Sequence, residues 1–196
     1  LPFDDEQKAA ILDFVKSGKG FFGADMLNMV HAEAQAMWDM RRCLSWVRAQ
    51  TAQPVGVYGI SLGGYNAALL ASLDAELACV VAGIAVADMP RIVHRMGPPI
   101  SVRTANQAGL DESRMREVAR VVSPLAMQPK VPHAHRHLFA AVGDRVVIPD
   151  HQRDLWRHWE EPEIVWYQGG HCTFLAHPAV ARMQREAFAS AGLTSD

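Results

Sequence analysis

The sequence has no apolar segment long enough to cross a lipid bilayer. Its longest apolar run, residues 78–87, falls well short of the ~20 residues that a membrane-spanning helix needs, and Gly83 interrupts it. The N-terminal residues, from Leu1 to Glu6, lack the basic and then apolar order of a secretory signal peptide. We therefore expect neither a membrane segment nor an export signal in this sequence.

Cysteine is also scarce. The 196 residues include only three cysteines, Cys43, Cys79 and Cys172, and these are far apart. An odd count without C-x-x-C spacing favours a reducing compartment over a disulfide framework, so we expect a cytoplasmic protein. Cys43 and Cys79 fall in apolar stretches and are predicted to be core residues. No activating motif surrounds Cys172, so a catalytic thiol at this position is a weak hypothesis.

No stretch of the sequence concentrates charge of one sign. The net charge is -2, and acidic and basic residues are interspersed, which argues against a nucleic-acid partner. His133, His135 and His137 alternate, so an extended segment would place them on one face, where zinc could bind. No carboxylate or cysteine completes a convincing ligand set. We therefore expect neither a metal nor an organic cofactor.

The sequence does contain an alternation of helix-forming and strand-forming segments. Its 196 residues, 49% of them hydrophobic, suit a single domain over residues 1–196. The alternation predicts an α/β protein with three α/β/α layers and a mostly parallel sheet. We predict helices over residues 4–16, 32–50, 62–73, 112–122, 150–159 and 179–191, strands over residues 55–60, 77–86, 137–142 and 163–167, and an irregular connection or short lid over residues 88–110.

The segment Gly59-Ile60-Ser61-Leu62-Gly63 matches the pattern G-x-S-x-G in a specific context. A buried strand is predicted to end just before the serine and a helix to begin just after it, as in a nucleophile elbow. A strained turn would hold the Ser61 hydroxyl clear of the sheet, and bulky residues two positions away on either side would collide there. The N-terminus of the helix favours negative charge, so the Leu62 N–H can donate to an oxyanion. A phosphate-binding turn would need G-x-G-x-x-G or a P-loop lysine, and neither is present.

A serine nucleophile needs a base, and the base needs an acid that orients it. In this architecture they should follow in the order Ser, Asp, His, each directly after a strand. Asp144 follows the third predicted strand, and His171 follows the fourth, after two glycines. Open parallel sheets build their sites at these strand ends. We therefore predict a triad of Ser61 as nucleophile, His171 as base and Asp144 as acid.

Two other acidic residues compete with Asp144 for this role. Asp150 precedes a predicted helix, after Pro149, and is more simply explained as an N-cap. Asp88 follows the second predicted strand, but it also suits a loop residue before Met89-Pro90. Both residues stay open as alternative acids at this point.

The motifs resemble the α/β-hydrolase superfamily over roughly residues 23–191. Within it, the chain is similar to poorly characterised bacterial hydrolases related to the abhydrolase-domain-18 group. The resemblance implies a truncated α/β-hydrolase fold and hydrolysis of carboxylic esters by Ser61, His171 and Asp144 through an acyl-enzyme. The apolar segments around Leu62 and Trp156 and over residues 89–100 suggest a pocket for short acyl chains. The residues that carry the resemblance are 38–46, 58–65, 122–125 and 163–171.

The sequence departs from this family before Ser61. Members normally have more strands there, and a His-Gly loop after one of them supplies the second N–H of the oxyanion hole; no His-Gly precedes Ser61. Residues 1–22 instead look faintly like the helix and glycine turn of amidotransferase-like domains, which suggests a shortened or replaced N-terminal region. Besides Leu62, the candidate for the second oxyanion donor is Gly23 or Ala24.

Two further expectations follow from this departure. A sheet with fewer strands would leave one edge open, which predicts a homo-oligomer formed through that edge. An incomplete oxyanion hole would favour an alternative function, a non-catalytic or weakly active binding or interaction module that kept the elbow.

Overall fold

A computed structural model describes residues 26–194 of the chain. Over these residues, four parallel strands form one sheet in the order β1-β2-β3-β4. The strands are β1 (Val57–Ile60), β2 (Val80–Gly83), β3 (Arg136–Ala141) and β4 (Glu163–Tyr167). The helices are α1 (Met26–Gln50), α2 (Leu62–Leu73), α3 (Met89–Met96), α4 (Pro99–Gln107), α5 (Glu112–Ala119), α6 (Pro149–His158) and α7 (Pro178–Ser190), with short 3-10 turns at Arg120–Val122, His133–His135 and Thr173–Ala176.

Helices cover both faces of the sheet, and the central strands β2 and β3 are therefore buried along their whole length. On one face, Val80 and Leu138 pack in a large apolar cluster with side chains of α1, α2, α3, α5 and α6. On the other face, Val81 and Phe139 pack against Val180 and other residues of α7. The predicted three-layer arrangement around a parallel sheet is therefore confirmed for the described residues.

Most predicted elements are present, and their ends differ by a few residues. The bounds of α2 and β4 are those predicted, whereas α1 begins at Met26 instead of residue 32. The strand predicted over residues 77–86 is limited to Val80–Gly83, because the chain turns at Ile84, whose φ is +39°. The helix predicted over residues 4–16 lies outside the described residues.

Residues 88–110 do not form the irregular connection that their prolines and glycines predicted. They form α3 and α4, and Pro90 and Pro99 each stand in the first turn of their helix, where a missing N–H costs no hydrogen bond. Asp88 caps α3 by accepting from the Arg91 N–H at 3.1 Å. The prediction was wrong because it treated proline as a helix breaker at positions where proline begins helices.

The prediction that Cys43 is a core residue was also wrong. Cys43 and Cys172 are exposed and Cys79 is buried, and all three thiols are free. Along its length α1 buries only one stripe of residues, among them Met37 and Leu44, and Cys43 lies outside this stripe. Burial raises the pKa of the Cys79 thiol to about 11.

No helix among residues 26–194 is long and apolar enough to span a membrane. At one edge of the sheet these residues form lies β1, and β4 lies at the other. The predicted homo-oligomer through an open edge stays a prediction.

A buried acid, Glu33, interrupts the apolar stripe of α1. Glu33 is fully buried, and neither of its carboxylate oxygens has a hydrogen-bond partner among residues 26–194. Burial raises the pKa of this carboxyl from 4.5 to about 7. Burial, and after it the charges of Glu33 and Asp88, raise the pKa of Tyr65, whose hydroxyl donates to the Val122 carbonyl at 2.6 Å.

We predict that Glu33 makes the fold less stable as the pH rises. The folded state holds the Glu33 proton up to about pH 7, whereas the unfolded chain releases it near pH 4.5, so stability falls between these values and stays low above them. The loss at pH 8 should be about 3 kcal/mol. In urea unfolding at pH 5 and pH 8, Glu33→Gln should lack this part of the pH dependence.

Glu117→Gln, at an exposed position on α5, is the matched control and should keep the wild-type pH dependence. Equal pH dependence of wild type and Glu33→Gln would contradict the prediction.

Candidate active site

The carboxyl ends of three strands bring together the residues that the sequence selected. Ser61 follows β1, Asp144 follows the end of β3, and His171 follows β4. The distance between His171 Nε2 and Ser61 Oγ is 3.1 Å, and that between His171 Nδ1 and Asp144 Oδ2 is 2.7 Å. Because parallel strands end at the same edge of the sheet, residues 110 positions apart in the chain become neighbours.

The backbone of Ser61 is strained, with φ +58° and ψ −115°. Three hydrogen bonds hold it in this conformation: its N–H donates to the Gly83 carbonyl at 3.0 Å, and its carbonyl accepts from Tyr65 at 3.1 Å and Val86 at 3.2 Å. Its side chain does not cap α2. The hydroxyl is therefore free to face His171, as an elbow requires.

The glycines around Ser61 are not equally necessary. A Cβ on Gly59 would lie 1.9 Å from the Gly63 carbonyl oxygen, and a Cβ on Gly64 would lie 2.7 Å from the Ala85 Cβ. A Cβ on Gly63 would have no atom within 4 Å. The expectation of a collision two residues to either side therefore holds for Gly59 and is wrong for Gly63, because α2 turns that position away from the sheet.

Asp144 is fixed by backbone donors as well as by the imidazole. Its side chain is buried, and Oδ1 accepts from the N–H groups of Val146 at 2.9 Å and Val147 at 3.0 Å. The other oxygen, Oδ2, faces His171 Nδ1. An ionised carboxylate only accepts, so Nδ1 carries a proton, and Nε2 of the neutral ring is left to accept from the Ser61 hydroxyl.

The loop before His171 is held by contacts that the sequence reasoning missed. Gly169 has φ +154°, and a Cβ there would lie 2.1 Å from the Thr173 hydroxyl oxygen. The Thr173 hydroxyl accepts from the Gly170 N–H at 3.0 Å, and the Gly143 N–H donates to the Gly169 carbonyl at 3.0 Å. This last bond joins the loops that carry base and acid. The two glycines marked a turn in the sequence, but the part that Thr173 plays in it was missed.

The two rival acids have other partners. Asp88 caps α3 and pairs with Arg116, whose Nε lies 2.6 Å from its Oδ2, and with Arg91 at 3.7 Å. Asp150 is not the N-cap that was predicted, because it stands inside the first turn of α6 and accepts from Arg153 at 2.9 Å. Neither acid is hydrogen-bonded to the base.

The three alternating histidines do not share one extended face. His133 and His135 lie in a 3-10 turn, and only His137 belongs to a strand. His137 Nδ1 lies 2.9 Å from Glu163 Oε2, and His133 Nε2 lies 3.0 Å from the Glu160 carbonyl oxygen. In the part of the chain that the structure describes, no group of three or more His, Cys, Asp or Glu residues is arranged to hold a metal ion.

One candidate oxyanion donor stands beside Ser61. Leu62 opens α2, so its N–H has no acceptor within the helix and remains available. Gly23 and Ala24, the candidates for the second donor, lie outside the described residues, and their role stays a prediction.

An apolar cavity of about 280 Å³ opens at Ser61. Its walls come from the chain after β2, from α3 and the turn that follows, and from the loop after Asp144. Apart from Ser61, every residue that lines it is apolar, so a hydrocarbon group is the ligand portion that it suits. The lining residues are Ser61, Val86, Ile92, Val93, Met96, Gly97, Pro98 and Val146.

Two buried polar residues of α6, also missed in the sequence, hold the chain that follows β2. His151 Nδ1 accepts from the N–H groups of Ala87 at 3.3 Å and Asp88 at 3.2 Å. Burial lowers the pKa of His151 to about 4, so the ring is neutral and can accept at this nitrogen. The Gln152 amide donates to the Ala85 carbonyl at 3.0 Å. Together these bonds fix one wall of the cavity.

No family model matches the chain. Two uncharacterized proteins of Mycobacterium tuberculosis, from strains CDC 1551 / Oshkosh and H37Rv, are each 41% identical to it over 178 residues. The match covers 90% of this chain and 42% of the length of each relative. The chain therefore spans less than half of the curated relatives that it matches.

Solved structures with similar folds include several α/β hydrolases. Acetyl xylan esterase from Paenibacillus sp. R4 has a TM-score of 0.60 at 22% identity, over 79% of this chain and 52% of that protein. The α/β hydrolase GrgF from Penicillium sp. sh18 has a TM-score of 0.59 at 13% identity, over 83% and 73%. Acylaminoacyl peptidase from Pyrococcus horikoshii has a TM-score of 0.56 at 16% identity, over 79% and 27%. The predicted α/β-hydrolase type of fold is thereby confirmed.

We predict that Gly59→Ala destabilises the fold and that Gly63→Ala does not. The Gly59 methyl group would meet backbone oxygen, which cannot move without breaking the elbow, so the loss should be about 4 kcal/mol or more. Gly63→Ala adds a methyl group in open space on a helix and should be neutral or stabilising by up to about 1 kcal/mol. Urea unfolding of both variants measures the difference, and equal losses would contradict the contacts described for Gly59.

Proposed function

We propose that the protein is a serine hydrolase that cleaves carboxylic esters with short acyl chains. The observation that carries this proposal is the chain of hydrogen bonds from Ser61 through His171 to Asp144, which stands beside an apolar cavity. The similar structures named above are a peptidase, an esterase and an α/β hydrolase, which supports the same class of chemistry. Within this class we propose a similarity to bacterial relatives of the abhydrolase-domain-18 group, which rests on the motifs of the sequence alone.

The proposed reaction has two halves. His171 Nε2 takes the Ser61 proton while Ser61 Oγ attacks the ester carbonyl, and the Leu62 N–H donates to the oxygen that becomes negative. Asp144 stabilises the imidazolium formed in this step. The imidazolium then protonates the departing alcohol, which leaves an acyl-Ser61 ester. In the second half, His171 activates water to release the acid and restore the Ser61 hydroxyl.

The cavity at Ser61 supports the preference for short acyl chains. Ligand pockets for drug-sized molecules typically enclose about 300–1,000 Å³, and this cavity encloses about 280 Å³. Its apolar walls favour a hydrocarbon group and disfavour a charged one, because a charge there would lose its water without gaining a partner. A small acyl group is therefore the part of the substrate that we assign to this cavity.

We predict that a fluorophosphonate probe labels wild type and does not label Ser61→Ala. With p-nitrophenyl butyrate, Ser61→Ala and His171→Ala should each lose at least about 10³-fold in kcat/KM, because the triad works as a unit. Asp144→Asn should also lose activity strongly, whereas the matched change Asp150→Asn should stay close to wild type. Failure of the folded wild type to label, or equal rates for wild type and Ser61→Ala, would refute the assignment of the nucleophile.

We also predict that Met96 limits the length of the acyl chain. Met96 lines the cavity and is 56% exposed, so its truncation opens the cavity to solvent without removing a core side chain. On p-nitrophenyl acetate, butyrate and octanoate, wild type should prefer the shorter esters, and Met96→Ala should shift the preference towards octanoate. Val121→Ala, an exposed apolar position outside the cavity, is the control and should leave the profile unchanged. An unchanged profile for Met96→Ala would count against this cavity as the acyl site.

A further inference from the structure

We propose that a cleft between α3 and α4 binds an anionic group carried by the alcohol part of the ester. We call it the Arg95–Arg103 cleft. The inference rests on the function proposed above and adds to it the charge of the substrate. Three features support it: the position of the cleft, its cationic groups, which have no ion-pair partner within residues 26–194, and the apolar character of the neighbouring cavity.

The Arg95–Arg103 cleft adjoins the cavity at Ser61. It encloses about 600 Å³, and Gly97 lines both the cleft and the cavity. The nearest neighbours of Gly97, Met96 and Pro98, line the cavity. The next residues along the chain, Arg95 and Pro99, line the cleft. The two spaces therefore meet along one short stretch of chain, residues 95–99. A substrate whose acyl group fills the cavity can extend over Gly97 into the cleft.

The charge of the cleft is positive. Two arginines, Arg95 on α3 and Arg103 on α4, line it, and no Asp or Glu does. Both arginines are exposed, and within residues 26–194 neither makes an ion pair or a side-chain hydrogen bond. Arg91 and Arg116, by contrast, pair with Asp154 and Asp88 respectively. A guanidinium without a protein partner keeps its donors free for carboxylate or phosphate oxygens.

Polar side chains complete the lining of the cleft. Asn106 and Gln107 of α4 face it, and their amides can donate to oxygen atoms of a ligand. His94 lines the cleft from α3, and its Nε2 lies 3.4 Å from Asn106 Oδ1, a contact that links the two helices across the cleft. The residues thus provide several donors and one sign of charge, which is the composition of an anion site.

The apolar cavity decides which part of the substrate carries the anion. Apart from Ser61, the cavity offers no polar side chain, so an anionic acyl group would be buried there without a partner. The acyl group must therefore be the apolar part, and the charge must lie on the alcohol. We expect an ester of an apolar acid with a hydroxy-carboxylate or a similar anionic alcohol.

The first test measures binding without turnover. In a Ser61→Ala background, calorimetry compares 4-(butanoyloxy)benzoate with its uncharged methyl ester. The anion should bind more tightly by about fivefold for each arginine that it contacts, as expected for exposed ion pairs. The double change Arg95→Ala and Arg103→Ala should abolish this preference, and 0.5 M NaCl should weaken it. Arg185→Ala, an exposed arginine on α7 across the sheet, should keep it.

The second test measures hydrolysis in the protein with Ser61 intact. The ratio of kcat/KM for the anionic ester to that for its methyl ester should fall in the double arginine variant and stay constant in Arg185→Ala. Because every variant is tested with the same pair of esters, the difference in their leaving-group reactivity cancels when the ratio is compared between variants. Circular dichroism checks that each variant folds.

The outcomes separate the two proposals. Absence of hydrolysis for both esters would refute the proposed function. The binding test would still show whether the cleft binds an anion. Equal binding of the two esters, or a preference that survives the double arginine change, would overturn the anion site. A stronger arginine-dependent preference for phenyl hydrogen succinate, whose charge lies on the acyl side, would overturn the assignment of the charge to the alcohol.

Discussion

The left-handed backbone of Ser61 is the constraint on which the rest of the site depends. A non-glycine residue adopts this conformation only where its surroundings force it to, at a cost of about 1–3 kcal/mol. Here the hydrogen bonds to Gly83, Tyr65 and Val86 come from a strand, a helix and a loop. The elbow therefore exists only when β1 has paired with β2, α2 has formed, and the chain after β2 has turned back. The position of Ser61 is therefore a property of this whole half of the sheet.

The positions of Asp144 and His171 depend on a different set of bonds. Backbone N–H groups fix Asp144, and Thr173 fixes the glycine turn before His171. The bond between Gly143 and Gly169 joins the two loops, so base and acid are held as one unit above β3 and β4. In the sheet, β2 lies between β1, which leads into the elbow, and β3. Hydrogen bonds with His151 and Gln152 tie the chain after β2 to α6, which holds that chain in place as a wall of the cavity.

The sequence was informative wherever a feature depends on short-range patterns. That Ser61, Asp144 and His171 lie together was predictable, because each follows an apolar strand and parallel strands end at one edge. The bounds of α2 followed from an apolar strand and a glycine-rich helix start. The helices α3 and α4 were not predictable in the same way, because proline at a first turn and proline within a loop look alike in one sequence. The roles of His151 and Thr173 depend on contacts across the fold or on the exact shape of a turn, which no spacing encodes.

Chemistry and specificity are therefore carried by different parts of the fold. The proposed triad stands on strand ends and on loops that the sheet aligns. The cavity at Ser61 is lined mainly by α3 and the turn at Gly97, and the Arg95–Arg103 cleft is lined by α3, the same turn and α4. A Cβ on Gly97 would lie 2.6 Å from the Val93 carbonyl oxygen, so this position fixes the end of α3 and the stretch of chain where the two spaces meet. No residue of α3 or α4 is hydrogen-bonded to Ser61, His171 or Asp144. Changes on these helices can thus alter the shape and charge of the cavity and the cleft without touching the hydrogen bonds that join Ser61, His171 and Asp144.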